Sequence, residues 1–414
     1  MPTLLTEPTL GAATLPSPRV PGDFSPELLA LLRLLRCALG NERDAWVPGW
    51  NKEVDWSKFS VCAERHRVGA FLHWRLPAHA RQAIPGGVLG ELGREAERGT
   101  HRSLQRASEL VRLARHFADS GIPVASVKGP LLALQLYGEL GQRHAGDIDL
   151  LVAPDDVERA DALLKAQGYE RTEPDFELTP LQFRQFRRFK RDAEYVSRES
   201  GIRLELGWRL FHVAESCRAD FEWRDFAGQK IAVLKPEDNA LYLFVHGARH
   251  GWFRLFWLVD VSLLLADSRV DWPAAAATAR RLGLERSVSQ GAALAGELLG
   301  APVPAAIAEL TRENSALGPL VAYAHRQMAR DVAPGTLQAE PVLYAMRLQP
   351  DWRSRGIIFR ARFMYPENWR MLPLRDRLFP LHYAAAPFLW LCRRIAGRRR
   401  RPASQGADRP RHAP

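Results

Sequence analysis

Apolar positions recur at helical spacing as soon as any pattern appears in the chain. Ser25-Pro26-Glu27 reads as an N-cap, a proline at the first helical position and an early acid. Leu28, Leu29, Leu32, Leu35 and Leu39 then share a helix face, and similar periodicity runs from about Val88 to Ser120. Residues 25–120 are therefore expected to form an N-terminal helical region behind a disordered leader at 1–24. The character changes at Gly121. Ile122-Pro123-Val124-Ala125-Ser126-Val127 predicts a short buried strand ended by Lys128-Gly129. Pro130 opens a helix whose apolar face is Leu131, Leu132, Leu134, Leu136 and Tyr137, with Gly138 as its C-cap. Asp147–Val152 reads as a second strand, and Pro154, Asp155 and Asp156 start a further helix that stops at Gly168. Strands at 193–197 and 202–208, joined through Glu199-Ser200-Gly201, predict a hairpin. From Pro236 the pattern is helical again, giving a helical domain at 236–340, a C-terminal extension at 341–397 and a disordered basic tail at 398–414. The expected fold is α+β: a small mixed sheet at 121–235 with helices on one face, flanked by helical regions before and after.

Composition changes this picture little. Hydrophobic residues make up 46% and charged residues 25%, as in an ordinary globular protein. The net charge of +11 resembles a nucleic-acid signal, but residues 393–414 hold eight Arg against one Asp, so +7 of it is in the tail. Nucleic acid is thus not favoured as a partner, although such a tail can bind phosphates or anionic lipid. Cys37, Cys62, Cys217 and Cys392 form no CxxC and fit a reducing compartment. The N-terminal stretch lacks a basic region and a long apolar core, so a signal peptide is not expected. The longest apolar stretch, Leu378–Cys392, contains Pro380, His382 and Pro387 and is too short to span a bilayer. The expected location is the cytoplasm, with peripheral membrane contact through that segment as an alternative to its docking on the body.

The candidate chemistry lies at Asp147 and Asp149. Two apart on a strand, both carboxylates point the same way while Ile148 points into the core. Paired acids of this kind suit a hard divalent cation, Mg²⁺ or Mn²⁺, and phosphoryl-transfer sites often hold two such ions about 3.5–4 Å apart. Glu205 is the candidate third acid, because Leu204 and Leu206 alternate with Arg203 and Glu205 and leave Glu205 on a polar face. Upstream, Gly129 lets a phosphate approach the backbone at a helix N-terminus, and Lys128 and Arg143 are placed to neutralise it.

KGPLLALQLYGELGQRHAGDIDLLV, residues 128–152, resembles the signature of the uncharacterised nucleotidyltransferases of the DNA polymerase β-like superfamily. The similarity continues through LELGWRLF, residues 204–211, and HGARHGWFRLFWLVD, residues 246–260, and covers about residues 25–300. It implies transfer of a nucleoside monophosphate from an NTP with Mg²⁺, Asp147, Asp149 and Glu205 being the metal-binding and catalytic acids. It leaves the acceptor, the base and the oligomeric state open. Two departures stand out: Gly129-Pro130 replaces the superfamily's Gly-Ser turn, and Gly207 stands where the family commonly has His. A DxD glycosyltransferase is the enzymatic alternative, and an inactive binding or regulatory module the non-enzymatic one. Two further features admit bland readings. His246 and His250 share a helix face and can bind Zn²⁺ or simply pack. Phe183, Phe186 and Phe189, interleaved with basic residues at 180–191, can line a substrate path or form an amphipathic helix.

Overall fold

The computed structural model describes residues 24–41, 49–211, 221–330 and 339–399. The expected leader up to residue 23, Cys217 and the tail beyond residue 399 lie outside them.

Among the described residues, five helices precede the sheet: α1 (Pro26–Ala38), α2 (Trp56–His66), α3 (Gly69–Arg75), α4 (Ala78–Gln82) and the 34-residue α5 (Gly86–Asp119). The Ser25 hydroxyl accepts from Leu28 N–H, so the expected N-cap starts α1. The alternating region follows as β1 (Val124–Ser126), α6 (Gly129–Tyr137), β2 (Ile148–Val152), α7 (Val157–Ala166), β3 (Tyr169–Glu173), α8 (Pro180–Phe189), β4 (Asp192–Ser197), β5 (Arg203–Gly207), β6 (Phe221–Phe226) and β7 (Gln229–Leu234). Gly138 ends α6 in the left-handed conformation at φ 81°, as its C-cap role requires. Helices α9 (Pro236–Arg249), α10 (Leu255–Leu265), α11 (Trp272–Leu282), α12 (Glu285–Leu299), α13 (Ala305–Arg312) and α14 (Leu317–Ala329) come next. The extension contains α15 (Ala339–Arg347), α16 (Trp352–Phe363), α17 (Pro366–Met371) and α18 (Leu381–Arg399).

The fold is α+β, with a mixed seven-stranded sheet in the order β3-β4-β5-β2-β1-β7-β6. Strand β2 runs parallel to β5 and antiparallel to β1, and β1 runs parallel to β7. The sheet is larger than the pattern predicted. β3, with Glu170, Arg171 and Thr172 along it, and β6, mostly exposed at one edge, carry too little apolar alternation to announce themselves.

Helices cover both faces of this sheet rather than the one face expected. On one side, Ile148, Leu150, Leu204, Leu206, Ile231 and Val233 pack against Leu110, Leu113 and Phe117 of α5 and against α7 and α8. On the other, Ala125, Leu151, Ala232 and Leu234 join a core that unites the N-terminal helices with α9–α14. The period of two along each strand explains the split. It also explains why all five residues of β2 are buried: neither face is left to solvent. Asp149 and Glu205 alternate with Ile148, Leu150, Leu204 and Leu206, so they face α9 and the larger core. Among the described residues, no helix is long and apolar enough to cross a membrane.

Candidate functional site

The β2–β5 register makes the site. Asp149 is the cross-strand partner of Glu205, and Glu205 in turn is opposite Glu194 on β4. Paired residues on neighbouring strands share a face, so the third acid lies beside the second. Asp147 stands one residue before β2 rather than on it, and is half-buried. Asp149 is only 4% exposed.

A glycine turn brings a lysine under these acids. Gly129 starts α6 at φ 71°, and a Cβ there would stand 3.4 Å from the Asp147 carbonyl oxygen. The left-handed backbone is what favours glycine here. Just before it, Lys128 is buried, and its Nζ lies 2.7 Å from Asp149 Oδ1 and 5.7 Å from the centre of the Tyr242 ring on α9. The contact is an ion pair: neither Asp149 oxygen accepts a hydrogen bond of adequate angle among the described residues. Glu205 has its own cation. Arg191, buried, places Nη2 3.1 Å from Glu205 Oε1 and 2.7 Å from Asp192 Oδ2.

The electrostatics show a local surplus of negative charge. Burial, then the neighbouring Asp147, push Asp149 up to about 7, with Glu205 adding to the rise and Lys128 opposing it. Burial alone would lower Lys128, but Asp149, Tyr242, Glu205 and Asp147 raise it well above the ordinary lysine range. The neighbouring carboxylates act on both groups: they hold the ammonium charged and, on top of burial, make Asp149 resist ionising.

This donor set fits a divalent cation in kind. The candidate ligands are hard oxygens in a neighbourhood rich in carboxylates, and Asp149 is buried against the single cation Lys128. The acids are not gathered as a closed cage: among the described residues, no three His, Cys, Asp or Glu side chains stand close enough to hold a metal ion. Glu205 is engaged by Arg191 and Asp149 by Lys128.

Arg143, expected from the sequence beside phosphate, has its guanidinium buried and forked onto Asp260 of α10, Nε to Oδ1 at 2.9 Å and Nη2 to Oδ2 at 2.9 Å. Tyr137 O–H donates to the same Asp260 Oδ1 at 2.6 Å. Arg143 therefore ties the loop before β2 to α10, where the apolar run around Asp260 hid its partner. That pairing leaves Asp260 engaged away from His246 and His250. Their rings lie 4.7 Å apart and His250 stacks on Trp257 at 5.0 Å. Burial and then neighbouring cations hold both well below the ordinary histidine range. The Phe–Arg segment is the amphipathic helix α8. Phe186 is buried against Trp208 at 5.6 Å, and a capping box of Thr179 and Gln182 starts the helix.

Tyr242, and Arg191 from the end of the Phe–Arg segment, complete the site. Tyr242 and Arg191 border a cavity of about 100 Å³ shared with Phe211, His246, Arg249 and Leu348. Nothing in local sequence marks Arg191 as the partner of Glu205; only the β4–β5 hairpin brings them together.

No curated protein matches the chain. A solved structure, an antigenic nucleotidyltransferase-like protein from Paracoccidioides brasiliensis, is 15% identical over 48% of this chain and 93% of its own, with a TM-score of 0.29. The uncharacterised nucleotidyltransferase family matches residues 52–300, which contain Lys128, Gly129, Asp147, Asp149 and Glu205 together with the helices that bury them, and the chain belongs to that family.

Proposed function

We propose that the protein transfers a nucleoside monophosphate from an NTP to an acceptor hydroxyl or phosphate. The acceptor oxygen attacks the α-phosphorus, the bond from that phosphorus to the bridging oxygen breaks, and pyrophosphate leaves. The observation that carries this reading is the Asp149–Glu205 register beside Lys128, within a chain of the nucleotidyltransferase family. The family and the acids' setting weigh against a DxD glycosyltransferase.

Asp147 and Asp149 would hold Mg²⁺ or Mn²⁺, with Glu205 joining them, and the ion would supply charge neutralisation for the phosphoryl oxygens and a more acidic acceptor oxygen. The chain's own groups do the rest. Lys128 keeps the acids compact without metal and offers a cation to phosphate when it is displaced. Gly129 and the first amides of α6 give an anionic oxygen close access to backbone N–H groups. Glu205 would accept the acceptor's proton, its orientation set by the ion pair with Arg191. Catalysis of this kind rests on positioning and charge stabilisation.

The test is incubation of purified protein with each α-labelled NTP, Mg²⁺ or Mn²⁺ and a metabolite and protein extract, followed by mass spectrometry of labelled products. A nucleotidylated product and pyrophosphate are expected, both absent with Asp149→Asn. Product formed equally by Asp149→Asn, or none with any NTP, refutes the proposal.

A further inference from the structure

Helix α18 carries two apolar stripes, and the body of the protein covers one of them. His382, Ala386 and Leu389, spaced four and three apart, are buried. Ala386 and Leu389 belong to the core that holds Trp369 and Phe379, and the His382 ring lies 5.1 Å from that of Phe379. Tyr383 O–H donates to Gln185 Oε1 of α8 at 3.0 Å. The C-terminal segment is therefore docked on the body, one of the two outcomes open from the sequence.

The second stripe faces solvent. Leu381, Ala384, Phe388 and Leu391 recur at intervals of three and four, which puts them on one helix face. All four are exposed, Leu381 by 51%, Phe388 by 68% and Leu391 by 47%. Ile395 continues the spacing in the sequence. Single exposed leucines are ordinary, but a continuous apolar stripe marks a surface that something covers. The charge that follows the stripe says what. Leu381–Arg399 holds Arg393, Arg394, Arg398 and Arg399 and no Asp or Glu, and residues 393–414 as a whole hold eight Arg against one Asp. A second copy laid on this face would bring the same arginines and no acid to meet them. Nucleic acid would engage the arginines but leave the apolar side chains in water. An anionic bilayer meets both, taking the apolar face at the boundary of headgroups and acyl chains and the arginines at its phosphates. Among the described residues no helix is long and apolar enough to cross a membrane, so such a helix lies on the surface.

We propose that α18 docks the protein on an anionic lipid surface. Leu381, Ala384, Phe388 and Leu391 enter the interface, while His382, Ala386 and Leu389 keep the helix on the body. The arginines from Arg393 onward supply the attraction to lipid headgroups. Docking of this kind is independent of the nucleotidyl-transfer reading.

The test is co-sedimentation of the full chain with vesicles of phosphatidylcholine and phosphatidylserine, and with vesicles of phosphatidylcholine alone. Saturable binding to the mixed vesicles is expected, weaker on the neutral ones and weaker at high salt. Phe388→Ser and Leu391→Ser should each weaken it roughly tenfold or more, as should Arg393→Gln combined with Arg394→Gln. Trp223→Ser, which removes an exposed aromatic side chain of β6, should leave it unchanged. Circular dichroism checks that each variant is folded, and if one apolar variant is not, the other decides. Binding by Phe388→Ser and Leu391→Ser equal to wild type overturns the proposal, because the basic charge alone would then hold the vesicles. Absence of wild-type binding to mixed vesicles overturns it as well. A dimer in light scattering that Phe388→Ser dissociates would in that case give the face to a second copy. Nucleotide turnover does not enter the readout, so failure of the transfer assay leaves the result standing.

Discussion

Asp260→Asn tests whether Arg143 is a tie between β2 and α10. The substitution keeps the shape of the side chain and removes its charge. The Arg143 and Asp260 side chains are 5% and 0% exposed, with two 2.9 Å contacts between them and a third, at 2.6 Å, from Tyr137. Burial lowers Arg143 and Asp260 raises it above the ordinary arginine range; without the Asp260 charge the guanidinium still keeps its proton, because arginine is not deprotonated in proteins. Removing one partner of such a pair leaves an uncompensated buried cation and costs about 3–5 kcal/mol. For a chain of this size, about 1–2 °C of Tm accompanies each kcal/mol, so a fall of roughly 3–10 °C is expected. Differential scanning calorimetry in EDTA measures it. The paired replacement Arg143→Met with Asp260→Leu should recover more than half of the loss, because no charge is then buried alone. An Asp260→Asn protein melting within about 1 °C of wild type would refute the reasoning, far below the loss expected for a broken buried pair. So would an Arg143→Met variant that melts normally but binds nucleotide far more weakly, since that would return Arg143 to the phosphate site.

Three other outcomes follow from the site. Gly129→Ala forces a side chain onto φ 71° and 3.4 Å from the Asp147 carbonyl, and should cost about 1–2 kcal/mol in urea denaturation and lower turnover; an unchanged midpoint would contradict this. Glu205→Gln should spare most NTP binding but lose transfer, whereas Asp149→Asn should lose metal-dependent NTP binding as well; equal turnover of Glu205→Gln and wild type would remove Glu205 from the chemistry. Burial lowers His66, His144, His246 and His250 well below 6.5 in the folded chain, so the unfolded chain takes up protons first on acidification. Their contribution is complete above pH 6.5 and is lost as pH falls below it. Each such histidine adds up to about 1.4 kcal/mol per pH unit, partly offset by Asp149, which loses its proton only near pH 7 and so favours folding on the acid side. His250→Gln should therefore flatten the plot of unfolding free energy against pH between about 5 and 6.5 by close to one proton; an unchanged slope there would show that His250 is protonated in the fold.

The sequence by itself determined the parts of this protein whose cause is local. Ser25 and Pro26 announce α1, the turn at Lys128-Gly129 and the cap at Gly138 bound α6, and Asp147-Ile148-Asp149 marks the proposed chemistry, because caps, turns and alternation act between near neighbours. Residues 128–152 also carried the family resemblance, which the match over 52–300 makes definite. The tertiary structure decided everything that depends on register and on partners distant in sequence. Glu205 stands beside Asp149 because β2 and β5 run parallel and pair in that register, and a slip of one residue would turn Glu205 to the opposite face. Arg143 looked like a free cation until Asp260, 117 residues further on, proved to hold it. Lys128 and Asp149 are both legible as candidates, yet only burial between two helical layers makes them an ion pair with shifted charges, since that burial removes the water that would otherwise screen them.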